Sequence, residues 1–207
     1  MKIELKNIQY SEALSEETNA FAANLYIEGK KAGTASNRGH GGSTDYQAVD
    51  ENGKKLIAKA ETYCKSLPSE KFKSGGKDYM FEMNLENYID KLLDKYLQAK
   101  DLKRFQKRIE KEMERGIVVG IPDKSYSVWR FKMPLANYLK NASGLQIIKM
   151  ALINEIIPSL TGDKIIMNTN IPEKLLKEAG LKENHYAKIV YKDSSQRADN
   201  KKTQRKL

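Results

Sequence analysis

The sequence predicts an α+β fold, with an N-terminal antiparallel β-hairpin module, central amphipathic helices, and mixed strands and helices towards the C-terminus. Near the N-terminus, apolar and polar residues alternate, which is the period of a strand with one buried face. In the central part, apolar residues recur at the spacing of a helix. Short segments of both kinds then follow without a repeated strand–helix unit, and this favours α+β over a parallel α/β sheet.

Three strands are predicted in the N-terminal module. The first covers residues 3–10 and the second covers residues 21–27, each with alternating apolar positions. The short connection "IEGKKAG" joins the second strand to a third, residues 32–36, in a hairpin. The segment "SNRGHGG" leaves the end of this third strand as a glycine-rich loop.

A first central helix is predicted over residues 53–67, because its apolar residues fall on one face and Pro68 follows them. The segment "SEKFKSGGKD" comes next and is polar throughout most of its length. We interpret it as a linker between the first helix and the second.

A second helical stretch is predicted over residues 84–115, closed by Gly116. Its apolar face rotates by roughly 150° between the two halves, so a straight helix would expose one of them. The pattern therefore predicts a break or a sharp kink near Gln98–Asp101, with Asp101 able to cap the second half.

The C-terminal part mixes both kinds of element. We expect two short strands around a Pro-Asp turn in 116–131, a helix over 143–158, a strand over 164–168, a helix over 172–180 and a last strand over 185–191. The helix over 143–158 is apolar most of the way round, which predicts burial on several sides.

Composition predicts the cellular compartment of the protein and the boundaries of its domains. Cys64 is the single cysteine, so an internal disulfide is excluded and a reducing, cytoplasmic compartment is expected. From the polar start of the sequence we expect no secretory leader, and no apolar run in it approaches the length of a membrane span. We predict a β module with the glycine-rich loop at residues 1–48, a helical and α+β body at 49–190, and a basic, disordered tail at 191–207.

The net charge of +10 favours polyanionic partners, although it does not say which. The strongest electrostatic pattern lies in the second helical stretch. There, cations recur every three or four residues and fill about 100° of the helical wheel, opposite an apolar stripe. Such a face can follow nucleic-acid phosphates, but it can equally be an ordinary solvated face. Its members are Lys100, Arg104, Lys107, Arg108, Lys111 and Arg115.

The glycine-rich loop offers a second candidate surface. Arg38, His40, Ser43 and the backbone amides near them could hold an anion, since successive amides in a turn form a positive concavity. The alternative is a wide turn whose glycines only permit positive φ. The loop lacks the Walker A pattern, and the RNA-binding module with a G-x-x-G loop places that loop between helices, not after a strand.

The residues give little support for a catalytic site or a metal site. The two histidines, His40 and His185, lie far apart with no metal-binding spacing, so neither a metal nor a cofactor is expected. Ser43, His40 and Asp45 are too close in sequence for a triad, whose members come from separate elements. Trp129 with Arg130 could form a stacking platform, but its alternation with Phe131 predicts core packing.

Four segments carry a resemblance: "YIEGKKAGTASNRGHGGSTDY", "NLENYIDKLL", the basic helix and "IVVGIPD". Together they resemble a family of uncharacterised small proteins of bacteriophages and mobile elements. Family members often have Asp in place of Arg38, and Cys or an aromatic residue in place of Ser43 or Tyr46, which argues against a strict catalytic loop here. The resemblance implies no reaction. It implies a setting in which accessory phage proteins disable host machinery, including nucleic-acid-guided defence complexes.

These observations favour a non-enzymatic binding protein that engages host nucleic acid or a ribonucleoprotein, in the manner of an anti-CRISPR inhibitor. One alternative is a small enzyme acting on phosphate esters, centred on Arg38, His40 and Asp45. A second alternative is a structural protein that self-associates through apolar faces left by the kinked helix.

Overall fold

The computed structural model describes residues 1–188, except for the side chains of residues 70, 72–74, 77–79 and 81. The predicted α+β class is confirmed, with an antiparallel N-terminal sheet, helices, and further strands and helices towards the C-terminus. The chain forms two compact units, Met1–Asp101 and Leu102–Leu207. The predicted boundary at residue 48 falls inside the first of these units.

The first unit is built on a four-stranded antiparallel sheet whose strands follow one another in chain order. Its register pairs Leu5 with Leu25 and Ala23 with Ala35, so the apolar positions of the strands share one face. The strands are β1 (Ile3–Ser11), β2 (Ala20–Ile27), β3 (Lys30–Asn37) and β4 (Asp45–Ala48). The last of these was not predicted.

Helix α1 (Glu51–Lys65) covers the apolar face of this sheet. It begins two residues before the predicted start, because the side chain of Asp50 accepts a hydrogen bond from the Gly53 N–H at 2.6 Å and caps the helix. Ile57, Ala60 and Cys64 face inward and are buried.

The interpretation of "SEKFKSGGKD" as a linker is wrong. This segment forms an antiparallel hairpin of β5 (Glu70–Ser74) and β6 (Lys77–Phe81). Gly75 and Gly76 form its two-residue turn, with φ of 57° and 78°. Positive φ at both central residues is what a tight hairpin turn requires, and glycine supplies it at low cost.

The predicted break in the second helical stretch is also wrong. Helix α2 runs without interruption from Leu85 to Met113, and Asp101 lies inside it instead of capping it. The two apolar faces belong to different cores. Leu85, Ile89 and Leu93 pack in the core of the first unit. Ile109 and Met113 pack in a small core of the second unit. A helix that contributes to two cores needs no break to change its buried face.

The second unit has a three-stranded sheet in the order β8-β7-β9, surrounded by short helices. Its larger core contains Ile117, Leu135, Ile148, Leu152 and Leu176. The strands are β7 (Gly116–Ile121), β8 (Ser125–Arg130) and β9 (Ile165–Ile166). The helices are α3 (Leu135–Tyr138), α4 (Ala142–Ala151), α5 (Ile157–Ser159) and α6 (Glu173–Glu178).

The helix predicted over 143–158 is less buried than expected. A π-helical turn, Leu152–Ile156, separates α4 from α5. Ile148 and Leu152 are buried, whereas Ile147, Met150 and Ile153 are between 41% and 49% exposed. This helix therefore carries more apolar side chains than the second unit buries.

The predicted last strand is described only in part. Tyr186 forms a parallel bridge with Ile166, next to β9. The rest of that strand and the basic tail lie outside the described residues. Within the described part of the chain, no helix has the length and the apolar content that a membrane crossing requires.

Candidate functional site

The glycine-rich loop is held to the β1–β2 connection by one backbone oxygen. The carbonyl of Gly39 accepts hydrogen bonds from the N–H groups of Glu16, Glu17 and Thr18, at 3.0, 3.0 and 3.3 Å. Gly39 has φ of 94°, and a Cβ there would lie 2.0 Å from the carbonyl oxygen of Leu14. Glycine is therefore required at this position both by conformation and by packing.

Asn37 closes the loop from within. Its Oδ1 accepts hydrogen bonds from the Gly39 N–H at 2.8 Å and from the Thr18 hydroxyl at 2.9 Å. Its Nδ2 donates to the carbonyl of Gly42 at 2.9 Å. Sequence reasoning missed this role, although an Asn side chain that bonds the N–H two residues on is a common turn device. The amide of Gly39 is thus already satisfied, and it cannot serve an anion as predicted.

The end of the loop meets carboxylates of α2. The N–H of Thr44 donates to Glu86 at 3.2 Å, and its hydroxyl donates to Asp90 at 2.6 Å. Burial raises the pKa of Asp90, the Thr44 hydrogen bond opposes that shift, and the charges of Glu86 and Asp94 add to it. These acids make this side of the loop unfavourable for a phosphate.

Arg38, His40 and Ser43 are all exposed. The Nδ1 of His40 lies 3.0 Å from a carboxylate oxygen of Glu16. His40 lines an open cavity of about 500 Å³ with apolar side chains such as Leu14 and Phe21. Asp45 lines a different, polar hollow of about 200 Å³.

Arg38 is the only member of the proposed catalytic group that lines both hollows. His40 and Asp45 therefore line two different hollows. His185 belongs to the second unit, where its Nδ1 accepts a hydrogen bond from the Lys182 N–H at 3.3 Å. No cluster of three or more potential metal ligands occurs among the described residues. The arrangement offers neither a triad nor a metal centre in the part of the chain that the structure describes.

The second candidate surface is the segment of residues 102–115, which we call the basic segment. Ile109 and Met113 bury its apolar side, and Phe105 packs edge-on against Tyr126 with ring centroids 5.4 Å apart. The opposite side carries cations that are all exposed. They are Arg104, Lys107, Arg108, Lys111 and Arg115.

Four cations of the basic segment lack an ion-pair partner among the described acids. No carboxylate among the described side chains forms an ion pair with Lys107, Arg108, Lys111 or Arg115. Among the described residues, the glutamates of this segment therefore form no ion pairs with these four cations. Their charges remain available to a ligand in solution.

Glu112 lies within the basic segment, but its ion-pair partner is Arg130 of β8. It accepts hydrogen bonds from Arg130, with Oε1 to Nη2 at 2.9 Å and Oε2 to Nε at 3.1 Å. This forked contact is the main reason that the pKa of Glu112 is lowered, and the nearby charges of Arg115 and Lys111 add to the effect. Because Arg130 engages Glu112, this acid makes no ion pair with the cations beside it.

Lys100 differs from the other members of the predicted cationic face. It belongs to the first unit and is only partly exposed. Its ammonium group lies over the ring of Tyr10, 5.5 Å from the centroid. A contact of this kind occupies one side of the cation, so we treat Lys100 separately from the basic segment.

The prediction that Trp129 packs in the core is wrong. Its side chain is 46% exposed. Trp129 lies on β8, an edge strand, and Ser125 and Ser127 share its side of the strand. The alternation with Phe131 correctly places both residues on one face, but the core does not extend far enough to cover Trp129.

Comparisons with protein-family models, with curated proteins and with solved structures found no match. The resemblance to small phage proteins therefore stays a prediction.

Proposed function

We propose that this protein is a non-enzymatic binding protein whose basic segment contacts the phosphates of a nucleic acid, free or within a ribonucleoprotein. The observation that carries the proposal is the set of exposed cations, Lys107, Arg108, Lys111 and Arg115, that no described carboxylate neutralises. Each such cation can replace a condensed counterion on a phosphate backbone, and the release of counterions drives binding.

The setting of the basic segment supports this use. A helix satisfies its own backbone groups, so its side chains can serve a ligand without loss to the fold. Lys107 and Lys111 lie one turn apart, about 6 Å along the helix axis. Burial of Ile109 and Met113 on the other side fixes which side the cations present. The backbone therefore fixes the positions from which the cations project, so that only their side chains have to be ordered on binding.

The glycine-rich loop has a smaller part in this proposal. Arg38, His40 and Ser43 are exposed and could add contacts at its rim. The acids bonded to Thr44 and the carboxylate beside His40 oppose an anion there. We place the main phosphate contacts on the basic segment for this reason.

We further propose a biological setting, for which the resemblance to small phage proteins is the support. In that setting the protein acts in the cytoplasm of an infected host cell and inhibits a nucleic-acid-guided defence complex, as an anti-CRISPR protein does. The cationic surface would attract the guide or target strand of such a complex.

The test is a charge reversal with a matched control. The test variant carries Lys107→Glu, Lys111→Glu and Arg115→Glu. The control carries Lys55→Glu, Lys59→Glu and Lys65→Glu, three exposed residues of α1. Both variants change the net charge by the same amount, so a difference between them reports position and not total charge. Affinity for a labelled oligonucleotide is measured by fluorescence anisotropy at low salt.

We expect the test variant to lose at least about tenfold in affinity relative to the control, equivalent to about 1.4 kcal/mol. Equal losses in the two variants would show that attraction is diffuse and would contradict the proposed site. Failure of the unmodified protein to bind RNA or DNA at low salt would contradict the proposal as a whole.

A further inference from the structure

An exposed tryptophan lies near the end of the basic segment at Arg115, on the face of the sheet opposite to the one that packs against that segment. Trp129 is the single tryptophan of the chain and is 46% exposed, although burial of an indole is strongly favourable. Tryptophan is enriched at binding surfaces, where it offers a large apolar ring together with a polar N–H. The question is which ligand this one would serve.

Strand β8 holds Trp129 firmly. The opposite side of the strand packs against the basic segment through Tyr126 and Val128, which contact the small core around Ile109. Arg130 adds the forked contact to Glu112. The indole therefore projects from a strand that is anchored on its other side, which lowers the entropy that a ligand contact would have to offset.

One cation of the basic segment, Arg115, lies near Trp129. The carbonyl of Arg115 accepts a hydrogen bond from the Phe131 N–H at 3.0 Å, and Ile117 pairs with Trp129 in the sheet register. Arg115 is thus a diagonal neighbour of Trp129, at a Cα separation of about 7–8 Å that long side chains can bridge. A ligand group on Trp129 would therefore lie within reach of the long side chain of Arg115.

We propose that Trp129 is a stacking platform for an unpaired base, so that the ligand of this surface is single-stranded nucleic acid. This inference rests on the proposed function and specifies its ligand. Aromatic rings that stack on bases beside a cationic track are the usual means of binding single strands. In a duplex, both faces of each base are already stacked on neighbouring bases, and the indole has nothing to contact.

A protein partner is the competing occupant, because tryptophan is also frequent at the centres of protein interfaces. The nearby Arg115 favours the nucleic acid. Arg115 has no ion pair with a described carboxylate, and a strand whose phosphate contacts Arg115 would bring its base towards the indole.

The single tryptophan is also the probe. Its emission is recorded while an oligothymidylate of about 16 nucleotides is added, and again with a duplex of the same length. Stacking on the indole predicts strong quenching by the single strand and little change with the duplex. Binding itself is followed separately, by the anisotropy of a label on the oligonucleotide.

Two variants complete the experiment. Trp129→Ala should weaken single-strand binding by about tenfold and leave duplex binding unchanged, whereas Trp129→Phe, which keeps a stacking ring, should lose less. Circular dichroism confirms that both variants fold, as expected for an exposed side chain.

The outcomes separate this inference from the proposed function. Oligonucleotide binding with unchanged tryptophan emission and unchanged affinity of Trp129→Ala would overturn the stacking platform, leave phosphate binding intact, and point to a protein partner for Trp129. Absence of any oligonucleotide binding would overturn both.

Discussion

The glycine-rich loop and the basic segment look alike as candidate anion sites in the sequence, but they differ in how their polar groups are used. In the loop, Asn37 and the Gly39 carbonyl bond neighbouring groups of the same unit. In the basic segment, four cations lie exposed without a described carboxylate as ion-pair partner. The two surfaces therefore differ in whether their polar groups already have partners among the described residues, and not in the types of residue that they contain.

The difference has a physical origin. A loop has no regular ladder, so its buried N–H and C=O groups must find partners among nearby side chains and strands. A helix satisfies its backbone internally. The polar groups of the loop therefore form hydrogen bonds that the folded state requires. The charges on the outer face of a helix are not required for folding.

The largest effect is expected from Gly39→Ala. The substitution forces a side chain into positive φ and places its Cβ 2.0 Å from the Leu14 carbonyl oxygen. We expect the free energy of unfolding to fall by more than about 2 kcal/mol, since the backbone must shift. Chemical denaturation followed by circular dichroism measures this.

Gly42→Ala is the control in the same loop. A Cβ at Gly42 would meet nothing within 4 Å, and its φ is not in the positive range. Its stability should stay close to that of the unmodified protein. If the two variants are equally stable, the loop is not the structural element that we describe.

A smaller effect is expected from Asp90→Asn. Because burial raises the pKa of Asp90, its ionised form is disfavoured in the folded state, and stability is lost as the pH rises through the raised value. Asparagine does not titrate and can still accept the hydrogen bond from Thr44.

The stability of the Asp90→Asn variant relative to the unmodified protein should therefore rise as the pH increases above the ordinary pKa of an aspartic acid. Denaturation midpoints at several pH values give this comparison. A relative stability that falls over the same range would mean that the carboxylate is favoured in the folded state, contrary to the account.

Some features that sequence reasoning missed left a signal that can be recognised. The hairpin of β5 and β6 has Gly75 and Gly76 as its turn, a pair that typically joins two strands. The charged residues around it suggested a linker instead. Alternation of apolar residues predicted β1 and β2 because burial of one sheet face imposes that period, and the short glycine-containing connection predicted β3.

Other features could not be read from periodicity. The change of apolar face within α2 indicated a break, whereas the continuous helix places each face in a different core. The alternation in β8 gave the correct face for Trp129, but the position of β8 at a sheet edge depends on long-range pairing. Periodicity shows which residues share a face, and only the assembled fold shows whether something covers it.

The salt dependence of oligonucleotide binding tests the central claim most directly, that Lys107, Arg108, Lys111 and Arg115 contact phosphates. For single strands, each contact contributes about 0.7 to the slope of log affinity against log salt, so four contacts predict a slope of about −3. The variant with Lys107, Lys111 and Arg115 changed to Glu should show a slope near −1. Equal slopes for the two proteins would contradict the claim.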